Sequence, residues 1–412
     1  MNEIVGMILA GGRVDELLTL TEKRPKAAVP IFGIYRFIDF VLSNMMRSRI
    51  DNIGVLSQFR PYSLMRHIGT GEHWDFIGRK RGIRMLPPYK GLKESDWYRG
   101  TADAVYQNIS YIEEFKPQYV IIAAADHIYQ MDYQNVFEFH KKKRADVTVC
   151  FTRSKIKKPW FGYGIIEKNG RLVTYQEKPE KPLSDWISMT IYIFRTDILF
   201  DLLKENTQTD SHEFGRDIIS QLPGQCAIYG YKFCDYWSYA RTIDLYYETN
   251  MEFLKGKINL NTWQVCTNLI EGCALRDRLP ARIEGNATNS YISDGCIVKG
   301  TVVNSILSPG IIVEKGAAVI DSVIFHNTVI KGNARLKRVI CDKICEIGEN
   351  AEIGTYGAKT PSIEFKNLLN TGITILGKET KIAPGVKIGA NTVVYSGIHV
   401  IDKEIKPGST IR

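Results

Sequence analysis

Several short segments of this chain carry groups suited to phosphate chemistry. The run Ile4 to Ala10 is apolar and feeds Gly11-Gly12, the pattern of a buried strand that turns sharply and presents backbone N–H groups to an anion. Lys26 follows on the same segment, in Lys23-Arg24-Pro25-Lys26. A second apolar run, Tyr119 to Ala125, ends on Asp126-His127, which puts a carboxylate where Mg²⁺ and phosphates would meet. His127 reads as a packed or hydrogen-bonded neighbour, because phosphoryl oxygens have no proton to give up at neutral pH. Gly100-Thr101 leads into a helix starting near Ala102. That helix start suits an anion or a polar ring edge, and equally suits a plain N-cap beside two packed aromatics, Trp97 and Tyr98. Glu177-Lys178, taken alone, is the pair of a solvated turn.

The elements around these segments divide into two textures. Residues 1 to about 250 alternate strand-like runs (Ile4 to Ala10, Asn52 to Ser57, Tyr119 to Ala125, Val147 to Phe151) with helical stretches (Ile38 to Met46, Ala104 to Glu114, Asn135 to His140). Such βαβ alternation predicts an α/β domain with a mostly parallel sheet covered on both faces and ligands at the carboxyl ends of its strands. Gly11-Gly12, Gln58 and Asp126-His127 fall at those ends. After about residue 275, apolar residues recur every six positions, as Ile306, Ile312, Ala318, Ile324, Ile330 and Leu336, then as Leu376, Ile382, Ile388, Val394 and Val400. Neither a helix nor a flat strand repeats at six; a triangular coil with one short strand per side does, and the pattern resembles hexapeptide-repeat, left-handed parallel β-helices. Thr355 to Thr371 breaks the period and is expected to loop out. The expected division is therefore 1–250, a linker over 251–275, and the β-helix over 276–412, whose open ends and apolar sides predict an oligomer.

Composition narrows the class. With 412 residues, 44% hydrophobic and 24% charged, the chain has material for two cores and does not read as disordered. Its apolar runs are too short to span a bilayer, and the N-terminus lacks a secretory pattern, so a cytoplasmic protein is expected. Eight cysteines without a Cys-x-x-Cys pair do not make a disulfide framework, and Cys341 and Cys345 read as buried small hydrophobes rather than zinc ligands. The net charge of +9 is scattered, and its one compact run, Lys141 to Arg144, suits a helix C-terminus; no nucleic-acid partner is expected.

Asp96-Trp97-Tyr98-Arg99-Gly100-Thr101-Ala102-Asp103-Ala104-Val105 resembles the Asn-Trp-Tyr-Arg-Gly-Thr-Ala-Asp-Ala-Val stretch of bacterial glucose-1-phosphate adenylyltransferases, and Tyr35 to Asn44 and Ser211 to Asp217 resemble further segments of that family in the same order. The resemblance implies a Rossmann-like nucleotidyltransferase domain followed by the β-helix, Mg²⁺ as cofactor, and ATP and glucose 1-phosphate as ligands. It implies nucleotide contacts from Gly11, Gly12, Gln58, Trp97 and Gly100, charge support from Arg13 and Lys26, and Asp126 as metal ligand. It further implies sugar-phosphate contacts from Tyr98, Gly162, Glu177, Lys178 and Ser188, and an effector contact from Lys23. The family has Gly where Thr190 stands.

Two places depart from the family's pattern in a single half of the site. Leu-Ala-Gly-Gly-x-Gly-x-Arg-Leu becomes Leu9-Ala10-Gly11-Gly12-Arg13-Val14-Asp15-Glu16-Leu17, so Val14 replaces a Gly with easy access to positive φ and Glu16 replaces an Arg facing the triphosphate. Tyr-Trp-Arg-Asp-Val-Gly-Thr becomes Tyr236-Trp237-Ser238-Tyr239-Ala240-Arg241-Thr242, so Tyr239 stands in place of the second metal carboxylate, and a neutral phenol is a poor ligand for a hard cation. Asp235 is a nearby carboxylate able to substitute. The expectation is a regulatory or weakly active subunit in a homo- or hetero-tetramer with a catalytic paralogue; the alternative is a fully active adenylyltransferase. GDP-mannose or UDP-glucose chemistry is disfavoured by the Trp97 to Val105 motif. A hexapeptide acyltransferase would need a catalytic His in the coil, where His326 reads as a surface turn.

Overall fold

The computed structural model describes residues 3–78, 81–89, 97–154, 157–269 and 279–412. They fall into two compact units, one of residues 1–12 and 38–238 and one of residues 13–37 and 239–412. The expected boundary at 250 lies inside the helix Ile243–Leu254. The expected start of the coil at 276, with the end of the expected linker, lies outside the described residues.

The first unit is built on a sheet in which the strands Gly82–Leu86, Asn52–Leu56, Ile4–Leu9 and Tyr119–Ala124 run parallel side by side. The long strand Trp186–Arg195 joins antiparallel to Tyr119–Ala124, and also borders Val147–Arg153, which pairs in parallel with Ile228–Phe233. Gly162–Ile166 and Leu172–Glu177 close one edge as an antiparallel pair. The near-continuous burial of Ile4–Leu9 and Tyr119–Ala124 is what a sheet covered on both faces requires. Helices Phe37–Arg47 and Tyr133–Lys143 form where expected, the second capped by the Asp132 carboxylate on the Gln134 N–H (2.9 Å) and ending with Arg144 in a left-handed conformation. The single helix expected over Ala104 to Glu114 is instead two, Thr101–Tyr106 and Ile109–Phe115. Asn108 breaks it, its side-chain amide donating to the Ala104 carbonyl (2.8 Å) and to the Tyr98 hydroxyl (3.0 Å).

His140, at the end of the helix Tyr133–Lys143, is a buried neutral base. Its Nδ1 meets the Thr148 hydroxyl at 2.8 Å, its Nε2 has no hydrogen-bond partner among the described residues, and burial pushes its pKa down to about 4. With an unfolded value near 6.5, the unfolded chain takes up a proton that the folded one refuses, so stability falls as pH drops from about 6.5 towards 4, by up to about 3 kcal/mol. Thermal melts at pH 7 and pH 4.5 should therefore differ more for the unmodified protein than for His140→Leu. Equal losses in the two proteins would show that His140 carries none of the acid sensitivity.

In the second unit, three parallel seven-stranded sheets form the triangular coil of a left-handed β-helix. Leu307 stacks on Ile324, Val313 on Ile330, Val319 on Leu336, Ile347 on Ile382 and Ile353 on Ile388, and these aliphatics fill the axis. The expected inward positions Ile324, Ile330 and Leu336, and the later series Leu376 to Val400, hold. Ile306, Ile312 and Ala318 do not: the axis takes Leu307, Val313 and Val319 instead. The side from Val319 to Ile324 is one residue shorter than its neighbours, turning at Asp321 in a left-handed conformation (φ 50°), so a strict period of six slips by one across it. Residues 354–373 leave the coil as expected and are tied back by Asn391, whose amide donates to the carbonyls of Ala358 (3.1 Å) and Thr360 (2.7 Å). Cys341 and Cys345 are buried in the axis.

One outer face of the coil is apolar and covered. Ile306, Val323, Ile340, Ile375 and Val393 are all buried there. The helix Ile243–Leu254 and residues 13–37 lie against it, through Tyr246 on Phe325, the Tyr247 hydroxyl on the Asp321 carbonyl (2.8 Å), and the Ser308 hydroxyl on the Gly33 carbonyl (2.6 Å). The segment carrying Lys26 is thus tied to the coil by the Ser308–Gly33 bond and by Arg24, whose guanidinium donates to the Asp342 carboxylate.

Candidate functional site

In the first unit the parallel strands bring Gly11, Gln58 and Asp126 to the carboxyl end of the sheet. The Ala10 N–H donates to the Leu56 carbonyl (2.9 Å) and the Ala125 N–H to the Leu9 carbonyl (3.0 Å), which locks the three strand ends together. A side chain at Gly11 would crowd the Gln58 backbone, whereas Gly12 faces open space. Gln58 grips the backbone of Tyr98: its amide oxygen accepts from the Tyr98 N–H (2.8 Å) and its amide nitrogen donates to the Tyr98 carbonyl (3.3 Å). Those two bonds use one N–H and one lone pair of the amide. Trp97 beside it is 69% exposed, an open aromatic face.

Tyr98 and Gly100 do more internal work than their sequence positions suggest. The Tyr98 hydroxyl donates to the Leu86 carbonyl (2.9 Å) and accepts from Asn108, and burial pushes its pKa up to about 12. Gly100 is extended, and a Cβ there would lie 2.2 Å from the His212 carbonyl oxygen. That close approach explains the glycine, and the Ala102 N–H, which opens the helix, is taken by the same carbonyl (2.9 Å). Thr101 donates to the Glu213 carboxylate (2.7 Å), so the Ser211 to Asp217 segment braces the Trp97 to Val105 segment.

Asp126 is partly exposed, and His127 beneath it is buried. The His127 Nε2 lies 3.4 Å from the Asp126 Oδ1, and the Trp237 indole N–H donates to the His127 Nδ1 at 3.4 Å. Since the indole only donates, Nδ1 is the acceptor and Nε2 carries the hydrogen that faces Asp126. His127 orients the carboxylate, as expected of a packed neighbour. Asp235 is exposed on the turn before Trp237.

Several of the residues expected to meet a sugar phosphate lie together. Glu177 pairs across the sheet edge with Gly162, and its Oε2 accepts from the Tyr175 hydroxyl (2.9 Å) while Oε1 lies 3.6 Å from the Lys178 Nζ. A Cβ at Gly162 would fall 1.9 Å from the Tyr175 oxygen, and one at Gly215 would fall 2.2 Å from the Glu177 Oε2. Both glycines are there to admit that carboxylate and phenol. Ser188, buried on the neighbouring strand, accepts from the Thr190 N–H (3.3 Å). Tyr175, Tyr192 and Gly215 were not singled out by sequence: in a strand, a buried tyrosine looks like any apolar residue.

The second unit holds the remaining residues. Arg13 pairs with Asp15 (2.6 Å) in an exposed contact, and Lys23 with Glu22 (2.9 Å), whose other oxygen accepts from the Ser396 hydroxyl (2.7 Å). Val14 corrects an expectation. It is buried and extended at φ −121°, so no positive φ is lost there; the left-handed residue of this loop is Leu18 (φ 50°). Glu16 is not a bare anion either: Arg241, which stands where the family has Gly, binds its Oε1 through Nη2 (2.7 Å) and Nε (2.8 Å). Lys26 is 1% exposed, and its Nζ sits 3.7 Å from the centroid of the Tyr239 ring. Such a contact holds a desolvated ammonium by roughly 2 kcal/mol. The two replaced positions, Glu16 and Tyr239, are therefore each matched by a cation of the same unit.

Among the described residues no group of three or more His, Cys, Asp and Glu side chains is placed to hold a metal by protein ligands alone, and no helix is long and apolar enough to cross a membrane.

A strand-end phosphate loop followed by a hexapeptide coil defines a class, and the chain matches it: residues 5–256 fit the nucleotidyl transferase family model and residues 280–376 the GlmU-like, C-terminal hexapeptide model. It is similar to glucose-1-phosphate adenylyltransferases from Thermomicrobium roseum (42% identical, over 96% of this chain and 93% of that one) and Acetivibrio thermocellus (35%, over 95% and 93%). The one from Thermosipho africanus is 37% identical over the whole of both chains. The chain belongs to the glucose-1-phosphate adenylyltransferase family.

Proposed function

We propose that this chain serves the reaction of ATP with glucose 1-phosphate to give ADP-glucose and pyrophosphate in glycogen synthesis, as a regulatory or weakly active subunit. The observation that carries this reading is the state of the cations in the second unit: Lys26 is held by the Tyr239 ring and Arg241 by Glu16. Phosphoryl transfer depends on preorganised charge, so cations committed to protein partners reduce transition-state stabilisation. ATP would be met by Gly11, Gly12, Gln58, Trp97 and Gly100, with Arg13 and Lys26 as charge support. Asp126 would hold Mg²⁺, which when bound neutralises phosphate oxygens; one carboxylate fits an ion that takes most of its shell from phosphates and water.

Glucose 1-phosphate would sit on Gly162, Glu177, Lys178 and Ser188 with Tyr98 as part of the wall. Lys178→Ala should weaken its binding by about 1.5–3 kcal/mol, the worth of a charge-assisted hydrogen bond, as read by calorimetry. No binding to the unmodified protein would remove the acceptor-site reading. Lys23 is the proposed effector contact, and the setting is a cytoplasmic homo- or hetero-tetramer with a catalytic paralogue. Light scattering at micromolar concentration should report a tetramer, and a monomer would count against that assembly.

The deciding experiment is pyrophosphate release by the chain alone and then mixed with a catalytic paralogue. Little release alone and a changed rate or effector response in the mixture is the expected pair of results. A second reading, a fully active enzyme, is favoured by one observation: the opposite charges at 16 and 241 pair with each other, so the loop keeps a guanidinium, supplied by Arg241.

A further inference from the structure

The segment from Ser211 to Asp217 touches the Trp97 to Gly100 loop on one side and the Glu177 carboxylate on the other. On the first side, the Thr101 hydroxyl donates to the Glu213 Oε2 (2.7 Å) and accepts from the Phe214 N–H (3.1 Å), while the His212 carbonyl accepts from the Ala102 N–H (2.9 Å). On the second side, Gly215 lies so close to Glu177 that an added Cβ would fall 2.2 Å from its Oε2. The N–H held by Thr101 and the backbone that walls in Glu177 therefore belong to consecutive residues, Phe214 and Gly215.

The segment is built to keep one shape. The Asp217 carboxylate accepts from the Ser211 hydroxyl (2.6 Å) and from the Glu213 N–H (2.6 Å). His212 is buried in a left-handed conformation (φ 51°), with its Nδ1 donating to the Asn206 carbonyl (3.1 Å). Phe214–Ile219 then winds as a π-helix, with the Ser220 N–H on the Gly215 carbonyl (3.2 Å). Such wide turns are rare and recur at functional sites. Thr101 opens the helix Thr101–Tyr106, yet both hydrogen bonds of its hydroxyl go to the Ser211 to Asp217 segment and none to its own helix.

We propose that Thr101 is a positioning residue that couples the two ligands: through Glu213, Phe214 and Gly215 its hydroxyl ties the placement of the Trp97 to Gly100 loop to that of the Glu177 carboxylate, so each ligand binds more tightly once the other is in place. The inference rests on the reading of Gln58, Trp97 and Gly100 as nucleotide contacts and of Glu177 as a sugar contact. The first ligand to bind bears the entropy of fixing the shared segment, and the second meets it already fixed. By linkage the gain is the same whichever ligand comes first.

The test is calorimetry on the full chain, reading the affinity for glucose 1-phosphate with and without saturating α,β-methylene ATP and Mg²⁺. The unmodified protein is compared with Thr101→Val, Thr101→Ser and Glu213→Ala. In the unmodified protein the nucleotide should tighten glucose 1-phosphate about tenfold, within the ordinary range for coupled sites. Thr101→Val keeps the shape and removes the hydroxyl, and the gain should fall to about twofold or less. Thr101→Ser restores the bond and should keep the gain. Glu213→Ala breaks the same bond from its other side and should lose the gain as well, which decides the matter where Thr101→Val does not fold. A merely structural role would lower the melting temperature of Thr101→Val and leave the ratio of the two affinities alone. A full gain in Thr101→Val, or no gain in an unmodified chain that binds both ligands, overturns this inference by itself. No binding of the nucleotide or of glucose 1-phosphate to the unmodified chain overturns the site reading beneath it.

Discussion

Asp342→Ala is expected to destabilise the second unit by about 3–5 kcal/mol, the usual consequence of leaving a buried charge without its partner. Asp342 is 0% exposed and Arg24 4%, and they meet at 2.5 Å across 318 residues of sequence. The remaining Asp342 oxygen accepts from the Lys343 N–H (2.7 Å), while the Arg24 Nη1 is buried without a hydrogen-bond partner among the described residues. The guanidinium is therefore only partly compensated even with its partner in place, and losing the carboxylate removes its one ion pair among the described residues. Because Arg24 is two positions before Lys26, the pair also fixes the segment that presents Lys26. Removing both charges, as Arg24→Leu with Asp342→Leu, should recover much of the loss, since the desolvation cost of both ions goes with them. Denaturant unfolding reads both variants. A single-variant loss below about 1 kcal/mol would mean that water or another group already compensates Arg24.

What sequence made legible follows from how local each feature is. The strand ends carrying Gly11, Gln58 and Asp126 are set by apolar runs of a few residues, and they came out together at the carboxyl end of the sheet as expected. The coil was legible because inward aliphatics repeat, yet Ile306, Ile312 and Ala318 were read one residue out of step. A left-handed corner at Asp321 shortens one side, and no hydropathy pattern marks the conformation of a polar corner residue. The break at Asn108 was missed for a similar reason: whether an asparagine turns back onto its own helix depends on a partner, here Tyr98, ten positions away.

The polar pairings were the least legible part. Glu16 read as an uncompensated anion because its partner, Arg241, is 225 residues distant. Val14 read as a lost glycine conformation, but the extended backbone it adopts is open to any residue. Tyr239 read as a lost carboxylate, while its ring contact with Lys26 was visible only in three dimensions. Glu16 and Arg241, separate departures along the chain, are a paired substitution in the fold.

On the proposed reading of a regulatory or weakly active subunit, that pairing decides how activity should be raised. Glu16→Arg alone sets a second guanidinium against Arg241, where Glu16 now accepts two hydrogen bonds, so it should give no gain in pyrophosphate release. Tyr239→Asp alone removes the ring that holds Lys26 and offers that ammonium a carboxylate instead, a stronger partner in a buried setting. Only the set Val14→Gly, Glu16→Arg, Tyr239→Asp and Arg241→Gly returns the family's pattern at all four positions. One preorganised group of this kind is worth about 10²–10³ in turnover, so the combined variant should exceed the unmodified chain by at least about 10²-fold and exceed the product of the single gains. Steady-state pyrophosphate release with Mg²⁺, ATP and glucose 1-phosphate measures this directly. If the unmodified chain already turns over at about 1 s⁻¹ or faster, within the ordinary enzyme range, the held cations are not a brake, and Arg241→Gly should then abolish activity because Arg241 would be supplying the guanidinium itself.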